Sequence, residues 1–324
     1  MSTKKLIRIL GTEIEPDKRT LLNMDVARLH TRTPIEVPVI VERAKVDGPT
    51  LLLSGGIHGD ETNGVEIVRQ IIARGFNKPA EGMVICIPVV NIFGFINQAR
   101  ALPDGRDLNR VFPGSPNGSL ASRFAHALMQ EIVPHIDYCI DYHTGGASRF
   151  NFSQVRIDAA DIETKKLAKV FGAKFVMSAK NREKSFREAT TSLGKKVLLY
   201  EGGKSQHLDR EVTKVGIEGA LRVMHYLGLR NFEPELASVS DEKEIIEVND
   251  SSWLRAKYSG MFRSTAKLGS LVKKGTKIGS ISDPFGDFEK TVKAPHDGYV
   301  ICNNHAPIVN QGDAIVHLTK GYRE

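Results

Sequence analysis

Residues 51–61 read Leu-Leu-Leu-Ser-Gly-Gly-Ile-His-Gly-Asp-Glu, and this stretch decides the fold. Consecutive leucines are typical of a buried strand, and the apolar spacing of residues 61–74 predicts a helix directly after it. Open α/β sheets bind their ligands at the carboxyl ends of the strands, in turns of this kind. The stretch therefore predicts an α/β sheet with a polar site at one edge.

Apolar strands and amphipathic helices alternate as far as residue 228. We expect strands in the segments 35–46 (at an edge), 51–53, 83–90, 138–140, 174–177 and 197–200. We expect helices in the segments 61–74, 119–133, 158–171, 183–193 and 211–228. Continuous apolar strands between helices are typical of a sheet that is covered on both faces. The predicted fold class is α/β, with a mixed, mostly parallel sheet and helices on both faces.

The alternation of apolar strands and amphipathic helices ends near residue 230. Residues 231–252 are polar and acidic, and short strands with glycine turns follow them. The segment 272–278 (Val-Lys-Lys-Gly-Thr-Lys-Ile) has a counterpart at 309–315 (Val-Asn-Gln-Gly-Asp-Ala-Ile). Two similar halves that bear hairpins predict a small β-barrel or sandwich. We therefore expect two domains, residues 1–238 and residues 239–324, of which the second is all-β.

Composition and charge exclude several classes of protein. The chain has 324 residues, of which 41% are hydrophobic and 26% are charged, as in soluble globular proteins. No apolar run approaches the roughly 18 residues of a membrane helix, and the N-terminal segment does not resemble a signal peptide. We expect no membrane partner and a cytoplasmic location. The net charge of +7 suits a small anionic substrate, whereas no basic run with interleaved aromatic residues supports nucleic-acid binding.

Polar residues follow four of the predicted strands, in the segments 54–61, 100–114, 141–146 and 200–203. His58 and Glu61 are three residues apart at a strand-to-helix turn, so an imidazole and a carboxylate can face one point. His143, at another strand end, would complete a three-ligand zinc site with an open position for water. Asp60 and Asp141 are candidate hydrogen-bond partners of the histidines, although either also suits a solvated turn. The spacing of His58 and Glu61, taken alone, favours surface or helix-capping roles for these two residues.

Taken together, these segments resemble a known family. The motifs His58-x-x-Glu61, Asp107-Leu-Asn-Arg110, His143 and Glu201 are similar in order and spacing to those of the succinylglutamate desuccinylase/aspartoacylase family. Members are zinc hydrolases with a carboxypeptidase A-like fold, and the resemblance covers roughly residues 45–230. It implies one zinc ion per chain, held by His58, Glu61 and His143.

The resemblance also implies roles for four more side chains. Glu201 would act as the general base for the water that zinc activates. Arg100 would stabilise the oxyanion, and Arg110 with Asn109 would hold a substrate carboxylate. Without the resemblance, Glu201 could equally form a structural ion pair. Either arginine, considered alone, would be assigned to the solvent-exposed surface. The family's active-site tyrosine has three candidates here: Tyr142, Tyr200 and Tyr258.

The region beyond residue 239 resembles a biotinyl/lipoyl-type hammerhead. The similarity lies in residues 294–300 (Ala-Pro-His-Asp-Gly-Tyr-Val) and in the two Val-x-x-Gly-x-x-Ile turns. In carrier domains a lysine at the tip between the halves bears the cofactor. Here that tip reads Ser-Asp-Pro-Phe-Gly-Asp-Phe-Glu over residues 282–289, without a lysine. We expect neither biotin nor lipoate, but a structural role or a cap that narrows the active site.

The leading hypothesis is a zinc-dependent hydrolase that cleaves the amide bond of a small anionic N-acyl amino acid or related amide. One alternative is a metallocarboxypeptidase or esterase that acts on small peptides or esters. Another is a noncatalytic binding protein with a relict zinc site, although binding alone does not need a base such as Glu201. The sequence leaves the oligomeric state open, with a homo-oligomer as one option.

Overall fold

The computed structural model of the chain describes residues 6–237 and 244–323. Its strands are β1 (Arg8–Ile9), β2 (Thr12–Glu13), β3 (Lys18–Arg28), β4 (Pro34–Arg43), β5 (Val46–Gly55), β6 (Glu81–Ile87), β7 (Tyr138–Gly145), β8 (Arg149–Ile157), β9 (Phe175–Ser178), β10 (Lys196–Lys204), β11 (Ile246–Arg255), β12 (Gly260–Ser264), β13 (Leu271–Val272), β14 (Lys277–Ser282), β15 (Glu289–Lys293), β16 (Gly298–Asn304), β17 (Ile308–Val309) and β18 (Ala314–Arg323). Its helices are α1 (Thr62–Ala73), α2 (Ile92–Asn97), α3 (Leu120–Glu131), α4 (Ile162–Phe171), α5 (Phe186–Thr191), α6 (Arg210–Tyr226) and α7 (Glu233–Leu236), with 3-10 turns at Leu108–Arg110 and Val133–His135.

One large sheet runs through the molecule in the strand order β13-β16-β18-β11-β9-β8-β10-β7-β5-β6-β4-β3. Its centre, β10-β7-β5-β6, is parallel, because helical crossovers connect these strands. The sheet is mixed, as expected, and within residues 6–237, the part for which a mostly parallel sheet was predicted, four of its seven pairings are parallel. Of the twelve strand pairings in this sheet within the described ranges, seven are antiparallel. The antiparallel pairs arise from the β3–β4 hairpin, from β8 and from the C-terminal strands.

Helices cover both faces of this sheet. On one face, α3 and α5 bury Phe124, Leu128 and Phe186 against the strands. On the other face, α1, α4 and α6 do the same with side chains that include Ile67 and Phe171. The apolar faces of these helices thus hold the strand ends in place. None of the helices in the described ranges combines the length and apolar character that a membrane crossing requires.

Several strands differ from the sequence-based expectation, among them β3, for which no element was expected, and the two strands β4 and β8. The segment 35–46 was expected at an edge, but β4 lies inside the sheet because β3 pairs along its outer side. The alternating pattern of β3 buries Leu22, Met24 and Val26, while its charged residues face solvent. The second strand, β8, lies at residues where no element was expected, and it pairs with β10 next to the predicted site.

The region 244–323 shares the large sheet rather than standing apart from it. Strand β11 pairs in parallel with β9, and β16 pairs antiparallel with β8. A second sheet, β15-β14-β12-β17, packs on these strands around a core that includes Phe262, Ile278 and Val300. The expected boundary between residues 238 and 239 lies outside the described residues. The division into domains 1–238 and 239–324 therefore remains a proposal.

Candidate metal centre and active-site cleft

A tight turn after β5 brings His58 and Glu61 to the carboxyl edge of the sheet. A Cβ atom on Gly59 would lie only 1.8 Å from the backbone carbon of Gly94 in α2, so no larger residue fits there without movement. Gly56 has a φ angle of +64°, which glycine adopts without strain. The backbone therefore turns sharply, and α1 begins directly after Glu61.

Three buried side chains meet at this edge. His58, Glu61 and His143 each offer one ligand atom, and these atoms all lie within 4.8 Å of one another. Nδ1 of His58 is 2.8 Å from Oε1 of Glu61, and Nδ1 of His143 is 2.9 Å from Oε2. The structure thus brings together the three residues predicted as metal ligands, with both Nδ1 atoms facing one carboxylate. These three side chains are called the metal cluster below, meaning the candidate ligands and not metal ions.

The donor set fits a divalent metal ion. Although Nδ1 of His58 lies close to Glu61, it makes no hydrogen bond within the described ranges. A buried ring nitrogen of this kind is costly unless another group satisfies it. Two imidazoles and one carboxylate are ligands that zinc takes in catalytic sites, where a fourth position stays open. These side chains can therefore hold a metal through an atom that the protein leaves unpaired.

Each imidazole has a carboxylate behind it. Nε2 of His143 lies 2.8 Å from Oδ2 of Asp141, as the sequence suggested. Nε2 of His58 lies 3.2 Å from Oδ1 of Asp107, whereas Oδ1 of Asp60 has no hydrogen-bond partner among the described residues. Such partners fix the ring orientation and the tautomer of a ligating histidine. Asp107 was not predicted as this partner, although it begins the motif Asp107-Leu-Asn-Arg110.

Opposite charges hold this cluster ionised. Burial alone would raise the pKa of Glu61, but the facing His58 and His143 hold that pKa well below its usual value. Burial alone would lower the pKa of His143, but Asp141 and Glu61 raise that pKa well above its usual value. Metal binding would therefore displace protons from the imidazoles.

Two of the predicted site residues anchor the loop at 100–114, Arg100 to the candidate metal ligands and Asn109 to the start of α5. Arg100 lies 3.1 Å from Oε1 of Glu61 through Nη1 and 2.9 Å from Oδ2 of Asp107 through Nη2. The Asn109 amide oxygen accepts a 2.7 Å hydrogen bond from the backbone N–H of Phe186. The Oδ1 atom of Asn109 is thus bound to the backbone, which also fixes the direction of the amide nitrogen, Nδ2.

Arg110 lines the cleft beside the metal cluster. Burial lowers the pKa of its guanidinium; Asp107 opposes this shift, and the like charges of Arg182 and Arg100 add to it. Arginine stays protonated at neutral pH. Arg110 therefore brings a partly buried positive charge to the cleft.

Glu201 lies near the end of β10, in register with His143 on the neighbouring β7. Its Oε2 accepts a hydrogen bond from Nδ2 of Asn151, and its Oε1 lies 3.5 Å from Nε of Arg156. Both partners belong to β8. No motif marks Asn151, and only the prediction of strand β8 would have indicated that it lies beside Glu201.

The three candidate tyrosines lie away from the cleft. Tyr142 and Tyr200 are fully buried in the core on the face of α1 and α6. Their hydroxyls donate to the backbone carbonyls of Gly216 and Val212. Tyr258 is 44% exposed in the C-terminal region and does not line the cleft. These three tyrosines are therefore packing or surface residues.

A cleft of about 880 Å³ lies over the metal cluster and contains all seven predicted site residues. The C-terminal region supplies one wall, with the side chains Trp253, Arg255, Asp313, Ala314 and His317. The cationic side chains of the lining are Arg100, Arg110, Arg149, Arg156, Lys180, Arg182, Arg187 and Arg255. Its acidic side chains are Glu61, Asp107, Glu201 and Asp313. The lining is positive overall, which suits an anionic ligand.

Comparison with known proteins gives consistent results. Residues 47–227 match the sequence family described as Succinylglutamate desuccinylase/Aspartoacylase catalytic domain. N-alpha-acetyl-L-2,4-diaminobutyric acid deacetylase from Halomonas elongata is 33% identical over 302 residues, which cover 88% of this chain and 86% of that protein.

Solved structures match nearly the full length. A succinylglutamate desuccinylase/aspartoacylase from Rhodobacter sphaeroides superimposes with a TM-score of 0.83 at 27% identity, covering 98% of this chain and 100% of that one. The product-bound ectoine utilization protein EutE (DoeB) from Ruegeria pomeroyi shares the fold, with a TM-score of 0.81 at 21% identity and the same coverage. The similarity thus includes the C-terminal strands as well as the α/β part.

Proposed function

The chain belongs to the succinylglutamate desuccinylase/aspartoacylase family, and from this premise we propose that it is a zinc-dependent deacylase of small N-acylated amino acids or related amides. One observation carries the proposal. Two imidazoles and one carboxylate converge on a point in a cationic cleft, and Glu201 lines the same cleft. That combination supports hydrolysis, because a site that only binds its ligand does not need a base.

His58, Glu61 and His143 would hold the zinc ion, with Asp107 and Asp141 orienting the two imidazoles. When bound, zinc supplies a Lewis acid that lowers the pKa of water and polarises the scissile carbonyl. Zinc is favoured by the nitrogen and oxygen donor set, although affinity alone does not decide which metal a cell provides.

Glu201 would take a proton from the attacking water and deliver it to the nitrogen of the leaving amine. Its carboxylate is prepared for this task by contacts to both oxygens, from Asn151 on one side and Arg156 on the other. These contacts limit rotation of the side chain. The carboxylate is thereby aimed before the substrate arrives, which reduces the cost of orientation.

Two arginines would divide the substrate's charges between them. Arg100, whose side chain is 38% exposed, would donate to the oxygen on which negative charge develops. Arg110 would hold a substrate carboxylate, because a guanidinium can donate two parallel hydrogen bonds to it. Asn109 would add a donor beside Arg110. The substrate would then lie with its amide between the metal ligands and Glu201.

The test is release of free amine from N-acetyl, N-succinyl and N-formyl amino acids and from Nα-acetyl-L-2,4-diaminobutyrate. It uses zinc-loaded protein, with chelator-treated protein in parallel. Glu201→Gln should keep one zinc per chain and lose roughly a thousandfold or more in kcat, because general-base catalysis contributes about 10²–10⁴-fold. Glu211→Gln, at an exposed residue of α6, is the matched control and should match the wild type.

Three outcomes would count against the proposal. Unchanged kcat in Glu201→Gln would remove this residue from the mechanism. Full activity after chelation would exclude a catalytic role for the metal. Failure to release amine from any substrate, by protein that holds one zinc, would move the assignment to esters or peptides and, if these also fail, to a binding protein.

A further inference from the structure

Four large apolar side chains are exposed in and beside the second sheet, β15-β14-β12-β17. These side chains and their exposed fractions are Tyr258 (44%), Met261 (39%), Phe285 (84%) and Ile308 (65%). They belong to the approach to β12, to β12 itself, to the turn between β14 and β15, and to β17. A single exposed apolar side chain is ordinary, whereas several at one place mark an interaction surface.

The strand register places a row of side chains on the outer face of this sheet. Met261 of β12 pairs with Ile308 of β17 and with Ser282 of β14, and Ser282 in turn pairs with Glu289 of β15. Residues that lie directly opposite one another on paired strands point to the same face. Phe262, the next residue along β12, points the other way and is buried in the core. The four paired residues, which we call the outer row, therefore face away from that core.

The turn that carries Phe285 is held in one shape. Oδ1 of Asp283 accepts hydrogen bonds from the backbone N–H groups of Phe285, Gly286 and Asp287, at 3.1, 2.8 and 3.2 Å. The backbone N–H of Asp283 donates to the carbonyl of Phe288 at 3.0 Å, which closes the turn. A side chain on a rigid turn loses little conformational entropy when a partner covers it. Phe285 is therefore suited to anchor an interface, in which aromatic residues are enriched.

Charges of opposite sign lie on the two sides of the outer row. Arg263 follows Met261 by two residues on β12, so it projects from the same face, on one side of the row. Asp287 lies in the turn beyond Ser282, on the other side of the row. Both side chains are exposed, and neither forms an ion pair with any residue of the described ranges 6–237 and 244–323. Each of these two charges is thus available to a partner.

This surface is complementary to a second copy of itself. When two outer rows stack face to face about a twofold axis that runs along the row, Met261 and Ile308 meet their own counterparts. The same axis exchanges the two sides of the row, so Arg263 of each copy faces the turn that carries Asp287 of the other. Glu289 meets its counterpart only at the rim, on the edge strand β15, where solvent screens the charges. An apolar centre is thereby flanked by two pairs of opposite charges.

We propose that the outer row, Arg263 and the turn of residues 283–287 form the interface of a homodimer. A second copy is the partner because a twofold arrangement uses both the apolar residues and the two unpaired charges of this one surface. The inference goes beyond the proposed function and does not depend on it, since none of these residues lines the cleft over the metal cluster. Small interfaces give weak or transient complexes, so we expect monomers and dimers to exchange at roughly 10–100 μM.

The first experiment follows the mass of the full chain by sedimentation velocity from low to high micromolar concentration. The mass should rise from monomer to dimer. Phe285→Ser should raise the Kd of the dimer by about tenfold or more, because truncation of an anchor residue removes much of the binding energy. Ile162→Ser, at a residue of α4 with the same exposed fraction of 84%, is the control and should dimerise as the wild type does. A chain that stays monomeric, or a dimer that Phe285→Ser leaves intact, would overturn the proposal.

An exchange of charges tests the twofold arrangement itself. Arg263→Glu places two like-charged pairs in the dimer, and so does Asp287→Lys. Each variant alone should therefore raise the Kd by about tenfold or more. An equimolar mixture of the two should associate as the wild type does, because both charge pairs of the mixed dimer are again opposite in sign. Recovery on mixing also shows that both variants are folded. If the mixture associates no better than the separate variants, while circular dichroism shows both to be folded, the proposed interface is refuted.

Discussion

Asp141 supports the candidate metal site from behind His143. Its two oxygens contact Nε2 of His143 and the hydroxyl of Ser54, each at 2.8 Å. The carboxylate is completely buried, so its position is fixed by these two contacts. The ring of His143 therefore cannot turn freely, and its Nδ1 stays directed at the metal cluster.

We predict that Asp141→Asn weakens zinc binding by about 10- to 100-fold, because the amide no longer provides a charged acceptor for the imidazole. Competition with a chromogenic chelator measures the affinity. Asp250→Asn, at an exposed aspartate, serves as the control and should bind zinc as the wild type does. An Asp141→Asn protein with wild-type affinity would show that the carboxylate only packs.

The strand-end pattern and the family resemblance predicted the three residues that cluster as candidate metal ligands, but not all of the side chains that support them. His58 and Glu61 are neighbours on one turn, and the family motifs add His143 and Glu201, which the structure brings to the same cleft. Asp107 reaches His58 from a separate loop, where no local rule connects it to that ring. Side chains that act across the sheet depend on strand order, which spacing along the chain does not encode.

At the scale of elements, the turn that carries His58 and Glu61 packs tightly against α2. Gly59 lies against the backbone of Gly94 and Phe95, and backbone atoms cannot rotate away as a flexible side chain can. The position of His58 thus depends on that of a neighbouring helix.

We predict that Gly59→Ala lowers the melting temperature by several degrees and weakens zinc binding at least tenfold, since the added methyl must push α2 or the turn aside. Thermal unfolding and chelator competition measure the two effects. Gly321→Ala is the matched control, because a Cβ atom there would meet its neighbours at ordinary distances of 3.6 and 3.7 Å. A Gly59→Ala protein that is as stable as Gly321→Ala would contradict the packing argument.

The repeat found in the sequence corresponds to matching elements. Gly275 and Gly312 have φ angles of +85° and +93°, each in a turn between a two-residue strand and a longer one. The flanking residues Val272, Ile278, Val309 and Ile315 are all buried in the core of the C-terminal region. Glycine and apolar spacing predicted these turns because both are local requirements. The pairing of β16 with β8 had no local signal.

At the scale of the molecule, the C-terminal strands complete the large sheet and its core. Phe175 and Met177 of β9 are buried in one cluster with Ile246, Val248 and Tyr299. The sequence pattern changes near residue 230, from alternating strands and helices to short strands, and therefore predicted two domains. It could not indicate that both would share one sheet, because edge pairing depends on backbone groups that every residue carries.

We predict that a chain ending at residue 237 does not form a stable deacylase. It would expose the edges of β8 and β9 together with Phe175 and Met177, and an exposed apolar edge promotes aggregation. Size-exclusion chromatography, circular dichroism and kcat/KM measure the outcome against the full chain. A monomeric, cooperatively folding fragment with full activity would contradict this prediction and support two independent domains.

The shared sheet also sets the order in which a growing chain acquires its properties. His58, Glu61 and His143 are synthesised first, whereas His317 follows about 170 residues later. At about 5–20 residues per second, the interval is on the order of 10–35 s. During that time the ribosome-bound chain has the three candidate metal ligands but lacks the complete wall formed by β11 and β18. The wall of the cleft is thus the last part of the candidate site to be synthesised, well after the residues at its floor.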